Sequence, residues 1–173
     1  MKYKVIGHQY RNDQCLVCGW DNPLGLDLEF WELENGELAT LATLKPNHQS
    51  YPGRAHGGII SALLDELIGR AVCIQEPLSW GVTVDLSIKY KKPVPLEQQL
   101  IAVGRITRNR SRMFEGAGEI YLPDGTLLAS AEGRYMKLPV NKIVESETPI
   151  SDMNWRLLDI EPEETPEYIE LPY

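Results

Sequence analysis

One long helical stretch, opening on a glycine pair and apolar around most of its circumference, limits what this chain can fold into. It begins His56-Gly57-Gly58-Ile59-Ile60-Ser61-Ala62-Leu63-Leu64-Asp65-Glu66 and runs to about Ile74, short of Pro77. At 100° per residue, Ile59, Ile60, Leu63, Leu64, Leu67, Ile68 and Ala71 form a broad apolar face. The opposite stripe, Ser61, Ala62, Asp65, Gly69 and Val72, is mostly small and admits close approach of a second subunit or of the chain's own loop. Such a helix needs cover on most sides, so a sheet must wrap it.

The strands to do so are present. Residues 26–33 and 37–44 flank Glu34-Asn35-Gly36, a strong hairpin signal. A polar loop, residues 45–55, leads into the helix. Strand-like runs follow at 81–90, 99–107, 113–122 and 126–138, the last two joined by a Pro123-Asp124-Gly125 turn. The order β-β-α-β-β-β-β with short connections predicts an α+β fold, an antiparallel sheet around one central helix. The domain expected is residues 1–140, with 1–23 as an N-terminal extension and 141–173 as an acidic C-terminal extension.

Composition narrows the partners. Of the net charge of −8, the segment 141–173 carries −7, so the acidity belongs to the tail and nucleic acid is not an expected partner. No apolar run approaches the ~20 residues of a membrane span, and the start, Met-Lys-Tyr-Lys, lacks a signal peptide's apolar region. Three cysteines, Cys15, Cys18 and Cys73, argue against a disulfide framework. These features together predict a cytoplasmic protein.

The glycine pair exposes backbone N–H groups at the positive end of the helix dipole, suited to an oxygen that gains negative charge. The acids Asp65 and Glu66 stand further along an otherwise apolar run, where an unpaired carboxylate is costly. Glu66 has Arg70 four residues on as an ion-pair partner; Asp65 has none, so Asp65 is the preferred working acid. Asp65 lies eight residues past Gly57, about 12 Å along the axis at the helical rise. That is beyond the reach of one reacting carbonyl. If both features are catalytic, a two-fold dimer with antiparallel helices brings Asp65 of one chain to Gly57 of the other.

The HGG-x6-D element, with Gly81-Val82-Thr83-Val84-Asp85 and Pro93 after it, resembles hotdog-fold acyl-CoA thioesterases of the PaaI type over residues 24–138. The resemblance implies hydrolysis of an acyl-CoA thioester in a homodimer, often paired into a tetramer, with no metal or cofactor. It implies that Gly57 and Gly58 polarise the thioester carbonyl, that Asp65 acts as nucleophile or general base, and that Thr83 orients the attacking water. Some hotdog thioesterases use a glutamate here, which keeps Glu66 a candidate. Relatives carry an amide side chain before HGG, for which Asn47, His48 and Gln49 are the candidates in this sequence.

Other features have plainer readings. His56 is read as fixing the helix entry by hydrogen bonding rather than moving protons. Asp85 is left to an ion pair with a lysine such as Lys89. Cys15-x2-Cys18 is half of a zinc signature, and without a second pair the reading is packed or capping cysteines, with zinc the lesser one. Among the basic residues at 105–112, Arg110 and Arg112 are the candidates for coenzyme A phosphates, against a solvated edge. The competing functions are a non-catalytic acyl-CoA binder and a hotdog dehydratase; Tyr51, Trp80 and Leu64 are the residues expected to shape an acyl pocket.

Overall fold

A computed structural model describes residues 1–77, 79–143, 155–156 and 165–173. The strands are β1 (Lys2–His8), β2 (Arg11–Asn12), β3 (Trp31–Leu33) and β4 (Leu38–Thr43), followed by helix α1 (Gly57–Ala71). Then come β5 (Trp80–Tyr90), β6 (Gln99–Asn109), β7 (Met113–Tyr121), β8 (Leu127–Leu138), a short α2 (Val140–Ile143), β9 (Trp155–Arg156) and β10 (Tyr168–Glu170). Eight strands form one antiparallel sheet in the order β10-β1-β3-β4-β6-β7-β8-β5. This single long helix in the grip of a large antiparallel sheet is the hotdog fold expected from the sequence.

Helix α1 buries Ile60, Leu63, Leu64, Leu67, Ile68 and Ala71, the predicted face without the half-exposed Ile59. Each large aliphatic side chain so buried contributes about 2 kcal/mol of transfer free energy. The sheet comes close enough to this face to demand glycine. A Cβ on Gly104 would stand 2.9 Å from Leu67, and one on Gly116 would stand 2.6 Å from Ile68. The sheet's other face carries a second cluster, Trp31, Leu33, Ala39, Ile101 and Val103, covered by Ile169 and Leu171.

Several expectations need correcting. The run 26–33 is a ladder strand only over Trp31–Leu33. Asp27 has φ 55°, and the Leu26 and Leu28 N–H groups donate to the Leu16 and Val17 carbonyls of the preceding loop. The helix gives way at Val72–Ile74 to a 3₁₀ turn. Within the segments expected as extensions, β1 and β10 are sheet members paired with each other. The rest of the acidic extension, residues 144–154 and 157–164, lies outside the described residues. Among the described residues no helix is long and apolar enough to cross a membrane.

Candidate functional site

The side chain of Asp65 leaves the middle of α1 toward the sheet's β8-β5 end, where two hydroxyls meet it. Thr83 donates to Asp65 Oδ1 and Oδ2 at 2.9 and 3.1 Å. Tyr135 donates to Oδ1 at 3.1 Å and to the Asp65 carbonyl at 3.2 Å. The convergence follows from register: Thr83 on β5 and Tyr135 on β8 are directly opposite, and the bulge between Thr83 and Asp85 ends that phase. Asp65 has no ion pair among the described residues.

Tyr135 is the site residue that sequence reading missed. Its ring is 1% exposed and stacks on Phe114 with centroids 4.9 Å apart and planes 7° from parallel. Glycines make its room: a Cβ on Gly69 would come within 3.3 Å of the ring and one on Gly133 within 2.7 Å. The small stripe of α1 is thus filled at Gly69 by the chain's own strand. Burial, with the Asp65 charge beside it, holds the Tyr135 hydroxyl pKa well above its ordinary value, so it stays a proton donor.

Asp65, Thr83 and Tyr135 open onto a cavity of about 660 Å³ whose walls include Ile74, Pro77 and Trp80. Trp80 therefore lines this cavity, whereas Leu64 is fully buried in the core and Tyr51 is 78% exposed on the loop before the helix. Cys73 also reaches the cavity, and burial pushes its thiol up to about 11.

The start of α1 is organised separately. His56 is the N-cap, and its Nδ1 accepts the Gly58 N–H at 2.9 Å. That engagement leaves Gly57 as the amide without a partner among the described residues. Its carbonyl accepts from Ser61 at 2.9 Å and from Tyr90 at 3.1 Å. The loop candidates are occupied locally. Asn47 donates to the Pro23 carbonyl, His48 Nδ1 accepts from the Lys45 N–H, and Gln49 accepts from the Gly53 N–H. Burial lowers the His48 pKa.

Glu66 lines the same cavity but is ion-paired. Its Oε1 accepts from Arg70 Nε at 2.6 Å, and Arg70 also donates to the Tyr10 carbonyl and lies 2.7 Å from it. Arg70 Nη2 reaches Cys18 Sγ at 3.0 Å, and Cys15 Sγ lies 3.9 Å from Glu66 Oε1. Cys18 is fully buried in the core, while Cys15 is half-buried. Asp85 pairs with Arg134 on the neighbouring strand at 2.7 Å, not with a lysine. Arg110 and Arg112 are exposed in the β6–β7 turn. The Arg112 carbonyl accepts the Lys137 N–H, two residues past Tyr135, so this turn is at the cavity's end of the sheet.

Comparison with known proteins bears on this geometry. The model of the thioesterase superfamily matches residues 52–129, which span the helix start, Asp65, Thr83 and strands β5, β6 and β7. A crystal structure of a thioesterase superfamily protein superposes with TM-score 0.67 at 31% identity, covering 72% of this chain and 60% of that one. The PaaI protein of the Escherichia coli phenylacetic acid degradation operon shares the fold with TM-score 0.59 at 17% identity, covering 65% of this chain and 80% of that one. The helix-and-sheet core thus has the hotdog fold that the HGG-x6-D pattern led us to expect, and within it residues 52–129 match the thioesterase superfamily model.

Among curated relatives, bovine acyl-coenzyme A thioesterase THEM4 is 26% identical over 132 residues, 75% of this chain and 53% of that protein. An uncharacterized mitochondrial protein of Candida albicans (strain WO-1) is 29% identical over 133 residues, 77% of this chain and 52% of its own length. The chain spans about half the length of these two relatives. The mitochondrial description of the second overturns the cytoplasmic placement expected from the sequence. Cysteine count and the residues at the chain's start do not separate one reducing compartment from another.

Proposed function

We propose that the protein hydrolyses an acyl-CoA thioester to the free acid and CoA, at two equivalent sites each shared between the subunits of a two-fold dimer. The observation that carries this reading is the Asp65 carboxylate, held by two hydroxyl donors without a cation and facing a partly apolar cavity. A binding protein gains little from an acid kept there. An enzyme gains a nucleophile or a base.

The dimer is supported by β5, an 11-residue strand at the edge of the sheet with Val82, Val84 and Tyr90 exposed, Val84 by 50%. A long apolar edge invites another strand. Antiparallel pairing of β5 with its copy continues the sheet and lays the two α1 helices side by side in opposite directions, carrying Asp65 toward the partner's helix start. The Gly57 N–H of one subunit then holds the thioester oxygen and tightens as it becomes an oxyanion, a contribution of about 3 kcal/mol. Asp65 of the other subunit attacks the carbonyl or takes a proton from water, with Thr83 orienting and Tyr135 fixing the carboxylate. The acyl group enters the cavity beside Trp80, and Arg110 and Arg112 meet the CoA phosphates. Glu66, committed to Arg70, stays out of the chemistry. The bovine thioesterase relative agrees with a CoA thioester as the substrate class.

Incubating the purified chain with saturated and 3-hydroxyacyl-CoA thioesters, while following free thiol and enoyl product, tests the proposal. Release of thiol in step with acyl loss is expected. Enoyl product instead means a dehydratase, and binding without turnover means a carrier or regulator; either rejects the hydrolase reading.

A further inference from the structure

We infer that Cys15, Cys18 and Glu66 form a site for a thiophilic divalent cation, zinc first, that clamps the N-terminal loop to the middle of α1. One donor atom from each of the three residues gathers with the others inside 4.8 Å, although they come from loop and helix some 50 positions apart. Zinc bonds of about 2.3 Å to sulfur and about 2.0 to 2.2 Å to oxygen set ligand-to-ligand separations of roughly 3.5 to 3.8 Å around a tetrahedral ion. The 3.9 Å between Cys15 Sγ and Glu66 Oε1 is close to that spacing.

The surroundings are those a metal-bound thiolate needs. The backbone N–H groups of Val17 and Cys18 donate to Cys15 Sγ at 3.3 and 3.2 Å, and Arg70 Nη2 donates to Cys18 Sγ at 3.0 Å. Outer donors of this kind orient metal ligands and stabilise their charge. The turn is built for Gly19, whose N–H donates to the Cys15 carbonyl at 2.9 Å; a Cβ there would stand 2.3 Å from that oxygen. Arg11 pins the loop from below, its Nε donating to the Cys18 carbonyl at 2.7 Å while its guanidinium pairs with Asp27 and Glu29. Binding releases the two thiol protons, and two thiolates with Glu66 then balance Arg70 and a divalent ion. Three protein ligands leave a fourth position for water. Because Glu66 and Arg70 line the Asp65 cavity, the ion stiffens that cavity's wall without entering the chemistry.

The test uses the full chain, reduced and stripped with chelator, titrated with zinc against a chromophoric competitor and separately with cobalt(II). One zinc per chain is expected, and cobalt should give sulfur-to-metal charge-transfer absorption with the intense visible bands of a tetrahedral ion. Cys15→Ser should weaken zinc binding by at least about 100-fold and abolish the charge-transfer intensity from one sulfur. Glu66→Gln should weaken binding by about tenfold and shift the visible bands. Circular dichroism confirms that the variants are folded, and the cobalt spectrum of the unmutated chain reads the sulfur ligands without any variant. Zinc affinity equal in Cys15→Ser, absence of the charge-transfer band, or a Cys15–Cys18 disulfide forming in place of metal uptake would overturn the inference. These readouts do not depend on thioester turnover, so this inference and the proposed hydrolase fail independently.

Discussion

Asp65 and Glu66 are neighbours on one helix, about 100° apart in direction, and that angle puts them in different chemical worlds. Asp65 meets the neutral hydroxyls of Thr83 and Tyr135, which hold a carboxylate in place without neutralising it. Glu66 meets the guanidinium of Arg70 and the sulfurs of the Cys15–Cys18 turn. An acid ringed by uncharged donors keeps lone pairs and charge for a reacting partner. One bound to a guanidinium is committed to structure.

Substitutions can break that contrast. Asp65→Asn should lower turnover by at least about 100-fold, the loss of a nucleophile or general base, with the melting temperature nearly unchanged. Next in size is Gly57→Pro, which deletes the one amide assigned to the oxyanion at a helix position that accepts proline. Thiol-release assays should show a loss of about 100-fold or more in kcat with α1 intact by circular dichroism. Thr83→Val and Tyr135→Phe each remove a hydrogen bond to a charged group and should cost about tenfold in kcat. In Tyr135→Phe the buried ring remains, so urea unfolding should report a stability change of only about 1 kcal/mol. Smallest in turnover is Glu66→Gln, expected to change kcat less than about threefold while losing up to about 1 kcal/mol of stability with its ion pair. A reversed ranking, with Glu66→Gln inactive and Asp65→Asn active, would exchange the roles of the two acids.

Local patterns carried much of this in the sequence. The buried face of α1 could be read by angle, and the Asn35-Gly36 and Asp124-Gly125 turns could be read from residue type. Both glycines adopt positive φ, 82° and 87°. The acid choice rested on Arg70 lying four residues after Glu66, and that ion pair is present. What escaped depended on pairing between distant segments. Tyr135 reaches Asp65 only because β8 registers Thr83 opposite it, and a bulge sets that register. A faint signal existed: the inward positions Ala129, Ala131 and Gly133 are small, and Tyr135 then interrupts them with a large ring. The β1–β10 pair joins segments more than 160 positions apart through three residues of register, below the reach of local periodicity. The gathering of Cys15 and Cys18 at Glu66 is likewise a long-range event, and a lone C-x2-C pair cannot announce its third donor.

The shared site is tested most directly by mixing two inactive variants, Asp65→Asn and Gly57→Pro, under conditions that exchange subunits. A site built from both chains gives each mixed dimer one doubly defective site and one intact site. Random exchange should then restore about a quarter of wild-type turnover. If Asp65 and Gly57 served the same site from one chain, every site in the mixture would stay broken, and failure to recover activity after demonstrated exchange would contradict the account.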